Sequence, residues 1–273
     1  MFWKRLKRDR NAILGLAILI VMGLVALFAP IISPHDPTDQ SLEHQREKPT
    51  REHPFGRDIF GRDILSRIIH GSRLTLLAGG FSVALSTVVG TFLGIVSGYY
   101  GGWVDSVVMR FIDILLSFPY FLLAILMAAI LGPGLWKACV AVAVASMPRT
   151  ARVVRGSVLA IRDVEYIEAA RAMGATDSWI VVRHVLPNVA APIIVLATLE
   201  LAGAILHTSG LSFLGLGAQP PSAEWGLMLN EAKGYLTTEP HMSFFPGLFT
   251  AILVLGFNLF GDGLRDILDP RLK

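Results

Sequence analysis

Apolar runs long enough to cross ~30 Å of hydrocarbon at ~1.5 Å per helical residue dominate the chain. They cover residues 12–32, 74–98, 114–131, 189–217 and 244–261, the fourth interrupted by Glu200 and His207. A sixth run, residues 135–148, has only 14 residues and includes Lys137. Length alone suits a buried or re-entrant segment there. The turn Gly132-Pro133-Gly134 just before it favours a helical hairpin with the preceding run. The pattern therefore predicts an all-α integral membrane protein with six transmembrane helices.

The first run follows the basic stretch MFWKRLKRDRN, an arrangement shared with signal peptides. It holds 21 uncharged residues, more than the ~7–15 of a signal's apolar core, and lacks an A-x-A-like cleavage site, so it is expected to stay as a membrane helix. With the N-terminus inside, fifteen of the 24 Lys and Arg residues fall on the cytoplasmic side and nine outside. The excess has the sign of the positive-inside rule and puts both termini on the cytoplasmic side of the membrane.

Composition agrees. Only 16% of residues are charged, against ~25% in soluble domains, 53% are hydrophobic, and mean hydropathy is +0.58. The net charge of +3 belongs to membrane-flanking segments rather than to a nucleic-acid surface. The single cysteine, Cys139, cannot form an internal disulfide and reads as a small core residue. No Lys follows a Gly, so the chain has no G-K-[ST] phosphate loop. H-E-x-x-H, C-x-x-C and G-x-S-x-G are also missing, and the chain is expected to be no enzyme and to hold no cofactor or metal of its own.

One polar stretch stands apart, EAARAMGATDSWIVVRHVLP at residues 168–187. Asp163 is a candidate N-cap for a first helix reaching about Met173, with Gly174 at the left-handed position beyond it. Thr176 or Asp177 can cap a second helix that Pro187 is expected to end. Ala169, Ala170 and Met173 share one arc whose short or flexible side chains permit close approach by another protein. Just upstream, Arg149, Arg152 and Arg155 recur along one helical face at the membrane boundary. Three readings compete: a connector, a DNA-reading helix-turn-helix, and a docking site for a cytoplasmic partner that moves the spans. Two helices are long for a connector, since ~2–8 residues suffice. A unit tethered to membrane spans at both ends is a poor DNA reader.

Ionisable residues inside a span are costly and mark pathways or buried contacts. Glu200 and His207, seven residues apart, share a helical face. They either line a pathway and meet its cargo, or they form a packing pair against a partner. Arg110 and Asp113 have the spacing of a helix-end ion pair. Pro119 and Pro192 are candidate hinges. Residues 57–73 interleave Ile and Leu with charges, as an amphipathic helix on the outer interface does. Residues 220–236 suggest another external helix, with Trp225 at interface level.

Glu168-Ala169-Ala170, three residues, Gly174, nine residues and His184-Val185-Leu186-Pro187 resemble the cytoplasmic loop of inner-membrane permeases of bacterial ABC importers. His184 stands where that pattern has isoleucine. HPFGRDIFGRDILSRIIHGSR (53–73), GYYGGWVDSVVMRFIDILLSFP (98–119), LSFLGLGAQPPSAEWGLML (211–229) and FNLFGDGLRDILDPRLK (257–273) extend the resemblance to the second permease of the peptide/nickel branch. The resemblance implies a type I ABC importer-like fold. It also implies a coupling loop at 160–187, with Glu168, Ala169, Ala170, Met173, Gly174, Leu186 and Pro187 meeting an ATPase subunit. A heterodimer with a homologous permease, two ATP-binding subunits carrying ATP and Mg, an extracytoplasmic solute-binding protein and membrane lipid complete the expected assembly, with no nucleic acid. Residues 1–73 then form the tail, first helix and external loop, and 74–273 a five-helix core. Peptides, nickel and nickel chelates are the substrate classes implied. An ion-coupled secondary transporter or channel subunit is the alternative.

Overall fold

The computed structural model describes residues 9–268, with the side chains of 267 and 268 left aside. Its elements are α1 (Arg10–Ile32), α2 (Ile64–Tyr100), α3 (Gly102–Leu116), α4 (Tyr120–Leu131), α5 (Leu135–Leu159), α6 (Glu165–Ala172), α7 (Asp177–Ile180), α8 (Leu186–Phe213), α9 (Trp225–Ala232) and α10 (His241–Leu268). Most of the basic N-terminal stretch and the last residues of the C-terminal motif lie outside the described residues.

By length and composition, Arg10–Ile32, Ile64–Tyr100, Asp177–Phe213 and His241–Asp266 can each cross a membrane. The run expected at 114–131 is not one straight helix. α3 and α4 meet at a 94° bend, because Pro119 lacks the N–H that would continue α3 and instead stands as the N-cap of α4. α5 extends well beyond the expected 135–148, through Pro148 and all three arginines. Its 25 residues span ~37 Å, although its charges make it less apolar than those four helices.

α5 is the centre of the packing. Its buried residues, from Ala138 to Val158, are mostly small, and α2 lies against them. Gly94 is the tightest approach: a Cβ there would stand 2.6 Å from the Ala151 carbonyl oxygen and 2.8 Å from the Val154 Cβ. Missing side chains thus let two backbones close on each other, the usual means of helix association where lipid offers no hydrophobic driving force. α1 rests on α10, with Gly15 facing Gly256 and Phe260.

At one end, residues 33–63 form a folded loop rather than the amphipathic helix expected over 57–73. The helix begins only at Ile64, where the Asp63 carboxylate caps it by accepting from the Ser66 N–H at 2.7 Å. Ile64, Ile68 and Ile69 are buried against protein rather than laid on lipid. Three charged side chains, Asp58, Arg62 and Arg67, are buried with them, and Glu231 stands at their edge, 9% exposed. Arg62 bonds Asp58 at 2.6 Å and Glu231 at 2.7 Å; Arg67 bonds the same Glu231 at 3.1 Å and the Ser222 carbonyl at 3.0 Å. Two guanidiniums face two carboxylates, so the set is neutral, and it ties the loop to α9. Burial pushes the Glu231 carboxyl above the usual range, and the charges of Arg67 and Arg62 pull it back.

α9 forms as residues 220–236 suggested, but Trp225 is fully buried rather than interfacial. Its indole N–H donates to the Ile68 carbonyl at 3.0 Å, which lets the ring be buried without an unpaired donor. Glu224 caps α9 by accepting from the Gly226 and Leu227 N–H groups, and takes the Ser209 hydroxyl at 2.9 Å.

Candidate functional site: a polar cavity and the hairpin joined to it

The segment 160–187 folds as a helical hairpin with one face seated on the bundle. Ile167, Ala170, Ile180 and Val185 are buried in a cluster with Ile95, Tyr99, Val154 and Val158. Polar contacts fix the seat: the Tyr99 hydroxyl donates to Asp177 at 2.8 Å, and Arg162 donates to the Gly98 carbonyl at 3.2 Å. Asp163 is not the cap of α6. Its carboxylate takes Arg162 at 3.0 Å, and Val164 holds the cap position with no side-chain bond. Gly174 does take the left-handed conformation, at φ +87°, and Thr176 rather than Asp177 caps α7, accepting from the Trp179 N–H at 3.4 Å.

Pro187 does not end the second helix. A π-helical turn, Val181–Val185, carries α7 straight into α8, and Pro187 falls in the first turn of α8. First-turn N–H groups have no partner within the helix, so a proline there removes nothing. The wider turn lets the helix continue as the single unit Asp177–Phe213.

Of the residues expected to meet a partner, Glu168, Ala169, Met173, Gly174, Leu186 and Pro187 are exposed, while Ala170 is buried beneath them. Met173 is 82% exposed and Trp179 50%. With Gly174, Ala175 and Thr176 they border an open groove of about 430 Å³. His184 is held by aromatic rings, Trp179 at 5.1 Å and Tyr166 at 5.7 Å.

The same α8 helix carries Glu200 and His207 into a cavity of about 550 Å³. Tyr120, Ser146, Arg149 and Arg152 supply its other polar lining. The His207 ring lies 4.4 Å from Tyr120 and 5.4 Å from Phe121, and Glu200 Oε2 is buried without a protein partner. Asp113 pairs with Arg152 at 2.6 Å rather than with Arg110, and Asp105 takes Arg155 through both its oxygens at 2.6 Å. Sequence reading placed Arg149 only in a basic row. Its position at the cavity follows from α5 running past Pro148.

His35, Glu52 and His53 also converge, with ligand atoms within 4.8 Å of one another. Both ring nitrogens of His53 are already engaged, Nδ1 by Asp63 at 2.9 Å and Nε2 by Arg57 at 2.6 Å. That is a hydrogen-bond network holding the loop.

An all-helical bundle with a polar cavity between its spans and a helical hairpin exposed at one end is a membrane transport component. Residues 90–273 match the family described as the inner membrane component of binding-protein-dependent transport systems, and residues 1–49 match the N-terminal TM domain of oligopeptide transport permease C. A dipeptide transport system permease from Alkalihalophilus pseudofirmus is 45% identical over 99% of this chain and 89% of its own. A glutathione transport system permease from Pectobacterium atrosepticum is 45% identical over all of this chain and 91% of its own. Among solved structures, an inward-facing methionine ABC transporter shares the fold at TM-score 0.60 and 24% identity, over 75% of this chain and 97% of that one. The chain belongs to the binding-protein-dependent inner-membrane permease family. It is a multi-pass permease component of an ABC importer, non-catalytic by family, and the ion-coupled alternative falls away.

Proposed function

We propose that the chain conducts small peptides inward as one half of an ATP-driven permease, with residues 160–187 as its coupling loop. The observation that carries this reading is the continuity of α7 with α8: the second arm of the exposed hairpin, from Asp177 on, and the cavity-lining Glu200 and His207 belong to one helical unit. In this reading Glu168, Ala169, Met173 and Gly174 meet an ATPase subunit, with Ala170 supporting them from below. Leu186 and Pro187 mark the root of the loop, and Glu200 and His207 line the translocation pathway.

Peptides are preferred to nickel because the dipeptide and glutathione permeases resemble the chain along its whole length. ATP and Mg belong to two partner ATPases, and the termini face the cytoplasm. An extracytoplasmic binding protein delivers substrate. A homologous permease covers apolar side chains such as Trp103, Val107 and Phe111, which are exposed on α3. ATP-driven closure of the ATPases pushes the hairpin and opens the cavity outward; hydrolysis restores the inward state. Such a drive requires the loop to contact the two ATPase states differently.

The test is Gly174→Asp in the reconstituted complex, read by substrate-stimulated ATPase activity and uptake of Ala-Ala. A Cβ at Gly174 meets nothing within 4 Å, and Asp tolerates the left-handed region better than most residues. The change therefore falls on the docking face and not on the core. An assembled complex that loses both stimulation and uptake supports the reading. Survival of both removes the hairpin from the coupling path.

A further inference from the structure

The charges around the cavity are unevenly matched. Arg152 is engaged by Asp113, but among the described residues Arg149 and Glu200 have no ion-pair partner. They stand on different helices, α5 and α8, and line the same space. Glu200 Oε2 is shielded from solvent and without a protein partner. A charge held inside a membrane bundle without a partner is costly, and such residues face a pathway or a ligand. The cavity's two hydroxyls are already engaged. The Ser146 and Tyr120 hydroxyls both donate to the Val142 carbonyl, at 2.7 and 3.5 Å, while the His207 ring packs on Tyr120 and Phe121 and carries no fixed charge. One acid and one base without an ion pair therefore border the same space of about 550 Å³, within the ~300–1,000 Å³ range of small-ligand sites.

We propose that this cavity recognises a small zwitterion by its two ends, Glu200 taking a free α-ammonium and Arg149 a free α-carboxylate. The proposal rests on the peptide-import reading and adds what that reading leaves open, namely which chemical groups the permease itself reads. A carboxylate accepts the three N–H donors of an ammonium, and a guanidinium offers a forked pair of donors to a carboxylate. The side chains of the peptide then face the apolar lining supplied by Leu115, Phe118 and Leu199, which sets no sequence requirement. The cavity thus selects for free termini and for length, and tolerates varied residues.

The experiment uses the assembled permease–ATPase complex in nanodiscs without the binding protein, whose own selectivity would otherwise enter. Radiolabelled Ala-Ala is bound at equilibrium and displaced by Ala-Ala, N-acetyl-Ala-Ala, Ala-Ala amide or free alanine. Wild type is expected to prefer Ala-Ala over either blocked peptide by about tenfold or more, the size of one charge-assisted hydrogen bond. Glu200→Gln is expected to bind Ala-Ala and N-acetyl-Ala-Ala equally while still rejecting the amide. Arg149→Gln is expected to do the reverse, and Arg149→Lys to keep most of the discrimination. Each variant carries its own folding control in the selectivity it retains. Equal competition by blocked and free peptides in wild type overturns the proposal, as does a loss in either variant that is the same for every ligand. So does the absence of saturable Ala-Ala binding up to millimolar concentration in a complex that imports Ala-Ala once its binding protein is added. Free alanine competing as well as Ala-Ala assigns the cavity to amino acids and overturns its selection for peptide length. Absence of ATP-driven Ala-Ala uptake by the complete transporter is a separate result, and it sinks the peptide reading itself.

Discussion

Glu231→Gln tests the charge balance of the outer loop. Arg62 and Arg67 are 1% and 0% exposed, and both bond the same Glu231 oxygen, at 2.7 and 3.1 Å. Removing that carboxylate leaves two buried guanidiniums facing Asp58 alone, one positive charge in excess. Breaking one partner out of a buried ionic set costs about 3–5 kcal/mol, because the remaining charge stays desolvated. Arg67→Met leaves the mirror excess, two carboxylates against Arg62, and is expected to cost a similar amount. Made together, the two substitutions restore neutrality, with the Arg62–Asp58 bond at 2.6 Å intact. The double variant is expected to lie within about 1.5 kcal/mol of wild type, since a balanced apolar replacement of a buried pair is often close to neutral. SDS-titrated unfolding of the purified permease pair gives the four corners of the cycle. A double variant that loses the sum of the single losses would show that packing, not charge balance, holds this end together.

Two further outcomes follow from the helix contacts. Gly94→Leu is expected to destabilise by about 3 kcal/mol or more through overpacking, since its neighbours are the Ala151 and Arg155 backbone and the Val154 Cβ, none of which a rotamer change can move. Gly80→Leu, on the same helix with nothing within 4 Å, is expected to be neutral or stabilising in the same SDS titration, and similar losses at both sites would contradict the reading of α2 and α5. Trp225→Phe removes the indole donor and leaves the Ile68 carbonyl with one bond fewer. About 1–3 kcal/mol is expected from the lost bond and the space left behind, and an unchanged unfolding midpoint would contradict that.

The hydrophobic pattern locates the spans because a lipid-facing helix must be mostly apolar, and α1, the greater part of α8 and the first two thirds of α10 obey that rule. It is weakest where helices bury against protein. α5 hides small residues such as Ala138, Ala141 and Ala151 and carries arginines along its flank, so hydropathy ends it at Pro148 although the helix runs eleven residues further. The start of α2 misleads for the opposite reason: Ile64, Ile68 and Arg67 have the spacing of an interfacial helix, but pairing with Glu231 lets the arginine enter the core. Gly174 is legible from its place between two helical patterns. The pairing of Asp113 with Arg152 is not, since Arg110 lies nearer in sequence and only the approach of α3 to α5 decides between them. Proline invites the reading of a helix stop at 187, and only the π-turn before it shows that the chain continues.

That continuity has a mechanical side. Trp179 and His207 are 28 residues apart within Asp177–Phe213, about 42 Å along a helix rising ~1.5 Å per residue. A tilt of ~10° about the His207 end would sweep Trp179 through about 7 Å but move Glu200, seven residues from the pivot, by only about 2 Å. In the coupling proposed above, such an arm would turn a large stroke at the hairpin into a displacement beside Glu200 on the scale of a single side chain, the scale on which a space a few side chains wide opens and closes.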